Sequence, residues 1–147
     1  VELDGKAAPQ TVASFRFLSQ DGYFDDSPCH RLTTAGIFVL QCGDPTGTGT
    51  GSPGYMFGVE NAPVSGTYPP GTLAMARGTD PNTNGGQFFF VYEETSLPDP
   101  NGYTIFGTVT KGLDIVRQVA RQGAVDGATD GAPAQPISIL DVSVEES

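Results

Sequence analysis

The sequence predicts a mainly β domain, an antiparallel barrel accompanied by two helices. Three observations carry that expectation. Short apolar runs of strand length recur along the chain. Turn residues punctuate them, with 20 Gly and 12 Pro among 147 residues. Only two stretches have a helical period, and they do not alternate with the strands as a doubly wound parallel sheet requires. This length suits a single domain spanning 1–147, able to bury a core without metals.

The elements follow in order. Val1-Glu2-Leu3-Asp4 reads as the end of a strand, which implies that the natural chain begins earlier. Residues 8–20 read as a helix: Pro9 suits the first turn, Val12, Phe15 and Leu18 share a face, and Gly22 stops it. Residues 29–33 and 36–43 read as two strands of a hairpin turning at Ala35-Gly36, followed by a Gly/Thr loop over 44–54. Strands are expected at 71–76, 87–92 and 103–109, with a polar loop over 77–86. A second helix is expected over 113–122, with Gly123 as its stop. A small-residue loop (123–136) then leads to a closing strand at 137–144, where apolar residues alternate.

Charge narrows the function classes. Seventeen acidic residues against seven basic ones give a net charge of −10. Nucleic-acid partners are not expected, because phosphate binding needs a basic stripe. No apolar run approaches the ~20 residues of a membrane-spanning helix. A single His and no cluster of soft ligands leave no metal site, and no cofactor is expected. Three motifs match in letters only. Gly49-x-Gly51-x-x-Gly54 holds Pro53 and is not followed by a helix start, unlike a dinucleotide fingerprint. Asp80-x-Asn82-x-Asn84-Gly85 resembles the start of a calcium loop, but its twelfth position is Val91 rather than Glu. His30 lacks the Gly-x-Ser-x-Gly elbow of a hydrolase.

A different constellation remains. Arg31 sits on one strand, with Phe38-Val39-Leu40-Gln41 on the next, Gln87-Phe88-Phe89-Phe90 on another, and Leu97 and Tyr103 around a loop. Taken alone, these are better explained as core aromatics and surface amides. Their arrangement in blocks says more. Phe38-Val39-Leu40-Gln41-Cys42-Gly43-Asp44 with its Gly-rich continuation, Gly71-Thr72-Leu73-Ala74-Met75-Ala76, Asn82-Thr83-Asn84-Gly85-Gly86-Gln87-Phe88-Phe89, His30-Arg31 and Phe106-Gly107-Thr108-Val109 resemble, in order, the sequence blocks of the cyclophilins.

That resemblance implies a closed eight-stranded antiparallel barrel capped by two helices, and peptidyl-prolyl cis/trans isomerase activity. It further implies a substrate groove lined by Arg31, Phe38, Val39, Gln41, Ala76, Gln87, Phe89, Leu97 and Tyr103. Arg31 is the expected catalytic group, with Phe38, Gln41 and Phe89 beside it. Arg77 takes a position commonly held by an Asn whose backbone binds the peptide. The partners so implied are proline-containing peptides and folding proteins, met by a monomer, and cyclosporin with reduced affinity, since Ser96 stands where a Trp often caps the groove. A peptide-binding or chaperone module with little turnover, and a purely structural interaction domain, are the other two readings.

The hairpin register raises two points. Turning at Ala35-Gly36 pairs Arg31 with Leu40 and puts Phe38, but not Gln41, on Arg31's face, so the family role for both needs a bulge or a strong twist. The same register makes Cys29 and Cys42 cross-strand neighbours, close enough for a disulfide. Both also replace residues that are not cysteine in the family pattern. Two buried thiols are the alternative. A bridge implies an oxidising compartment outside the cytoplasm, as in membrane-anchored or secreted bacterial cyclophilins; two thiols leave a cytoplasmic location open.

Overall fold

A computed structural model describes residues 1–146. The chain runs β1 (Glu2–Leu3), α1 (Pro9–Gln20), β2 (Ser27–Pro28), β3 (Arg31–Thr33), β4 (Val39–Cys42), β5 (Thr67–Tyr68), β6 (Thr72–Met75), β7 (Phe88–Val91), β8 (Thr95–Ser96), β9 (Ile105–Thr108), α2 (Leu113–Arg121), a single 3₁₀ turn (Val125–Gly127), β10 (Asp130–Gly131) and β11 (Ser138–Ile139). The two helices and the main strands fall where the sequence pattern puts them.

The strands form one antiparallel sheet in the order β1-β9-β6-β7-β4-β3-β10, and two small pairs, β11-β2 and β5-β8. This corrects the expected closed barrel. Among the described residues, strand pairing leaves the seven-stranded sheet open between β1 and β10. The expected strand at 137–144 is paired only at Ser138–Ile139, against β2. Nor does 29–33 form one strand: Cys29 and His30 lie between β2 and β3.

Each helix buries one side. In α1, Phe15 and Leu18 are buried, and Phe15 packs on Phe24, Phe88 and Phe106 with ring centroids 5.2–5.4 Å apart. Gly22 ends the helix at φ +74°, letting the Tyr23 N–H reach back to the Leu18 carbonyl. Helix α2 contributes Val116 and Val119. The principal core joins Phe15, Leu18 and Val116 to Leu32, Leu40, Cys42, Leu73, Met75 and Phe88. A second, smaller cluster of Val39, Tyr68, Ala74, Phe89 and Val91 has Ile37, Ala76, Leu97, Tyr103 and Ile105 packed around it. Alternation along β4 and β7 divides their side chains between the two clusters.

The β3–β4 hairpin is one residue out of the expected register. Arg31 pairs with Gln41 and Leu32 with Leu40. The chain reverses about Gly36 alone: Ala35 bridges Ile37, the Ile37 N–H donates to the Ala35 carbonyl, and Gly36 has φ +78°. Below this tip the Thr33 hydroxyl accepts the Val39 N–H at 3.0 Å.

Candidate functional site

The register shift decides the site. With Arg31 opposite Gln41, Gln41 opposite Phe89, and Phe89 opposite Ala74, these residues form one cross-strand row on the face of the smaller cluster. No bulge is needed to bring Arg31 and Gln41 together. Because side chains alternate, Phe38 moves to the other face. Its ring packs edge-on to Tyr92, 6.1 Å between centroids, and Ile37 takes its expected place. This corrects the assignment of Phe38 to the groove.

The row floors an open groove of about 210 Å³ lined by Arg31, Ile37, Val39, Gln41, Ala76, Arg77, Phe89, Leu97 and Tyr103. Val39 and Phe89 are buried, so the floor between Gln41 and Leu97 is apolar. Gln87 lines an adjoining cavity of about 250 Å³ that shares Gln41, Ala76 and Arg77 and runs beneath the Gly-rich loop.

A directed chain of hydrogen bonds crosses the groove. Arg31 Nη1 donates to Gln41 Oε1 at 3.2 Å, Gln41 Nε2 to Gln87 Oε1 at 2.9 Å, and Gln87 Nε2 to the Gly49 carbonyl at 2.9 Å. Each amide is thereby oriented by the next group. On its other side Arg31 grips Asp130, Nε to Oδ1 at 2.9 Å and Nη2 to Oδ2 at 2.8 Å. This hydrogen-bonded pairing raises the guanidinium pKa above its ordinary value, burial opposing, and lowers that of the carboxyl. The Arg31 side chain remains 39% exposed.

The Gly-rich loop ends this chain because Asp44 shapes it. The Asp44 carboxylate accepts N–H groups from Thr46, Gly49 and Gly51 and the Thr46 hydroxyl at 2.7–3.0 Å. Burial would raise its pKa, but those donors prevail and hold it at about 2. The backbone donors that a nucleotide phosphate would need at Gly49 and Gly51 are thus already satisfied by a carboxylate. The Asp80 turn is likewise closed by its own side chains, with Asp80 Oδ1 accepting the Asn82 N–H and Asn84 Nδ2 donating to the Pro81 and Phe57 carbonyls.

Arg77 builds the opposite wall. Its side chain is 1% exposed. Nε and Nη2 donate to the Gly102 carbonyl at 3.1 and 2.8 Å, Nη1 to the Gly78 carbonyl at 3.0 Å, and Nη2 pairs with Asp99 at 3.1 Å. The guanidinium lies 4.4 Å from the Tyr103 ring centroid, and Tyr103 packs edge-on to Phe89.

Behind Arg31, Cys29 and Cys42 form a disulfide with Cα atoms 4.1 Å apart. In the observed register they lie diagonally across the hairpin rather than directly opposite. Sequence reasoning missed Ile37, Asp130 and Asp99. Asp130 lies in a stretch read as a small-residue loop, and 17 acidic residues single out no partner for a given Arg.

Comparison with known proteins agrees with this architecture. The family model "Cyclophilin type peptidyl-prolyl cis-trans isomerase/CLD" matches residues 1–144. The chain is 44% identical to the probable peptidyl-prolyl cis-trans isomerase B of Mycobacterium tuberculosis, over 97% of the chain and 50% of that protein. It is 42% identical to peptidyl-prolyl cis-trans isomerase B of Bacillus subtilis, over 81% of the chain and 80% of that protein. The chain spans about half the length of the mycobacterial relatives it matches. The crystal structure of a cyclophilin-type isomerase from Cryptosporidium parvum, in the presence of the dipeptide Ala-Pro, superposes with TM-score 0.80 at 33% identity, covering 99% of this chain and 91% of that one.

Proposed function

Since this chain belongs to the cyclophilin-type peptidyl-prolyl cis-trans isomerase family, we propose that its groove accelerates cis/trans rotation of X-Pro bonds in peptides and folding proteins. The observation that carries this is the guanidinium of Arg31, held between Asp130 and Gln41 at the edge of an apolar floor of Val39, Phe89 and Leu97.

An X-Pro bond rotates slowly because twisting destroys amide resonance, at a cost of ~18–20 kcal/mol. The twisted nitrogen regains a lone pair that the planar amide lacks. A donor aimed at that nitrogen therefore stabilises the twisted state more than either planar isomer, which is what lowers a barrier. Arg31 stays charged at any working pH and offers donors in a fixed plane. The apolar residues hold the proline ring and exclude water, which strengthens the interaction. Gln41 orients Arg31, and the Arg77 backbone pairs with the peptide. No covalent step, metal or proton transfer enters. One chain supplies the whole groove, so the proposed activity needs no second copy.

Two narrower readings attach to this one. Cyclosporin binds the same groove, weakly, because exposed Ser96 beside Leu97 supplies neither the area nor the indole donor of a Trp. The Cys29–Cys42 disulfide supports work in an oxidising compartment, outside the cytoplasm. Among the described residues no helix is long and apolar enough to cross a membrane.

Exchange spectroscopy by NMR on a proline peptide, with no coupled protease, tests the main reading. Accelerated exchange between the cis and trans peptide resonances supports it. Peptide binding without acceleration would leave a recognition module. Intact-mass measurement after alkylation of unreduced protein from its native compartment tests the location: two alkylated thiols would overturn it.

A further inference from the structure

The segment after α2 folds into a short strap. The Val125 N–H donates to the Ala132 carbonyl and the Ala134 N–H to the Gly123 carbonyl, closing its base. Its tip, β10, joins the sheet beside β3, with Asp130 opposite Thr33 and Gly131 opposite Leu32, and the Thr34 N–H donates to the Thr129 carbonyl. This pairing puts the Asp130 carboxylate diagonally across from Arg31, 99 residues away in sequence.

A guanidinium carries five N–H donors. Asp130 takes one on Nε and one on Nη2, and Gln41 takes one on Nη1. One donor on each Nη remains. Gln41 alone fixes a single point of the plane; the two-pronged carboxylate fixes its rotation. We propose that Asp130 is a positioning residue for the isomerisation, setting the Arg31 guanidinium plane so that its remaining donors meet the prolyl nitrogen. This rests on the proposed role of Arg31. Both partners are about half exposed, so the pair contributes little to stability. Its effect is on rate, because a donor already oriented need not be ordered as the amide twists.

The opposite influence is also physical. A carboxylate in contact with the guanidinium offsets part of its positive charge, which by itself would weaken its hold on the nitrogen. The sign of the effect on kcat decides which influence prevails. In Asp130→Ala we expect kcat to fall by about three- to tenfold, with KM within about twofold and the thermal midpoint unchanged. Asp130→Glu recovers part of the loss. In the Arg31→Ala background, Asp130→Ala has no further effect. The Arg31 Nε–H resonance shifts or broadens in Asp130→Ala, as expected for a released guanidinium. Wild-type or higher kcat in Asp130→Ala, with Arg31→Ala inactive, would overturn the positioning role alone. Wild-type turnover in Arg31→Ala would overturn the role of Arg31 and that of Asp130 with it.

Discussion

The two walls of the groove each carry an arginine held by an aspartate, and the two serve opposite ends. Arg77 is buried, and its three nitrogens are committed to the Gly102 and Gly78 carbonyls and Asp99, with Tyr103 against its plane. Arg31 is 39% exposed and keeps a donor on each terminal nitrogen. The charge and the residue type are the same. What differs is whether hydrogen-bonding capacity survives folding. A buried guanidinium with four of its five donors committed is a strut; a half-exposed one, oriented by its neighbours, keeps two donors for the reagent role proposed for Arg31.

Four measurements break or sharpen this contrast. The largest effect concerns the support behind the Arg31 wall. Replacing both Cys29 and Cys42 by Ala should lower unfolding free energy by about 3 kcal/mol, from the chain entropy released in the unfolded state, with kcat/KM kept within severalfold while the domain stays folded. Urea unfolding under oxidising conditions reads it, and an unchanged midpoint would show that the bridge is not what steadies this wall.

Arg31→Ala should reverse that pattern. A loss of at least about a hundredfold in kcat/KM, or ~2.7 kcal/mol, is expected with stability within about 1 kcal/mol of wild type. A folded variant that isomerises normally would make Arg31 another strut. Arg77→Met keeps the apolar stem but leaves the Gly102 and Gly78 carbonyls without the Arg77 donors. Loss of these buried hydrogen bonds should cost about 2 kcal/mol of stability and less than about tenfold in kcat/KM. A hundredfold loss of activity at unchanged stability would erase the distinction between the walls. The smallest effect is expected at Ser96, beside Leu97 on the Arg77 side. Ser96→Trp should tighten cyclosporin about tenfold by calorimetry, or ~1.4 kcal/mol. No gain would show that position 96 does not border the groove.

Legibility in the sequence divided along the same line. Arg31, Val39, Gln41, Ala76 and Phe89 are legible from the blocks that hold them, and they line one groove together with Arg77, Leu97 and Tyr103, which fall between blocks. The hairpin register is not legible, because Ala35-Gly36 reads as a two-residue turn whereas Gly36 at φ +78° turns the chain alone. That single residue exchanges Ile37 for Phe38. Strands β5, β8 and β10 are two residues long, too short for any alternation to be visible. Asp130 and Asp99 were hidden for another reason. Each is defined by a partner distant in the chain, and nothing in their own neighbourhood announces it. Cys29 and Cys42 are joined although the register differs by one from the expected one, because Cys29 lies ahead of β3, where strand alternation no longer sets its direction.

The strap that delivers Asp130 has a consequence for aggregation. A protein proposed to handle unfolded chains is surrounded by extended segments looking for a sheet edge to join. The outer edge of β3 would offer them a ladder beside Arg31 itself. Strand β10 already occupies it, with Asp130 and Gly131 paired to Thr33 and Leu32. It is only two residues long and begins with a charge, which makes it a poor template for further addition. At this edge an extended backbone meets a two-residue strand that begins with a carboxylate, not the bare side of β3.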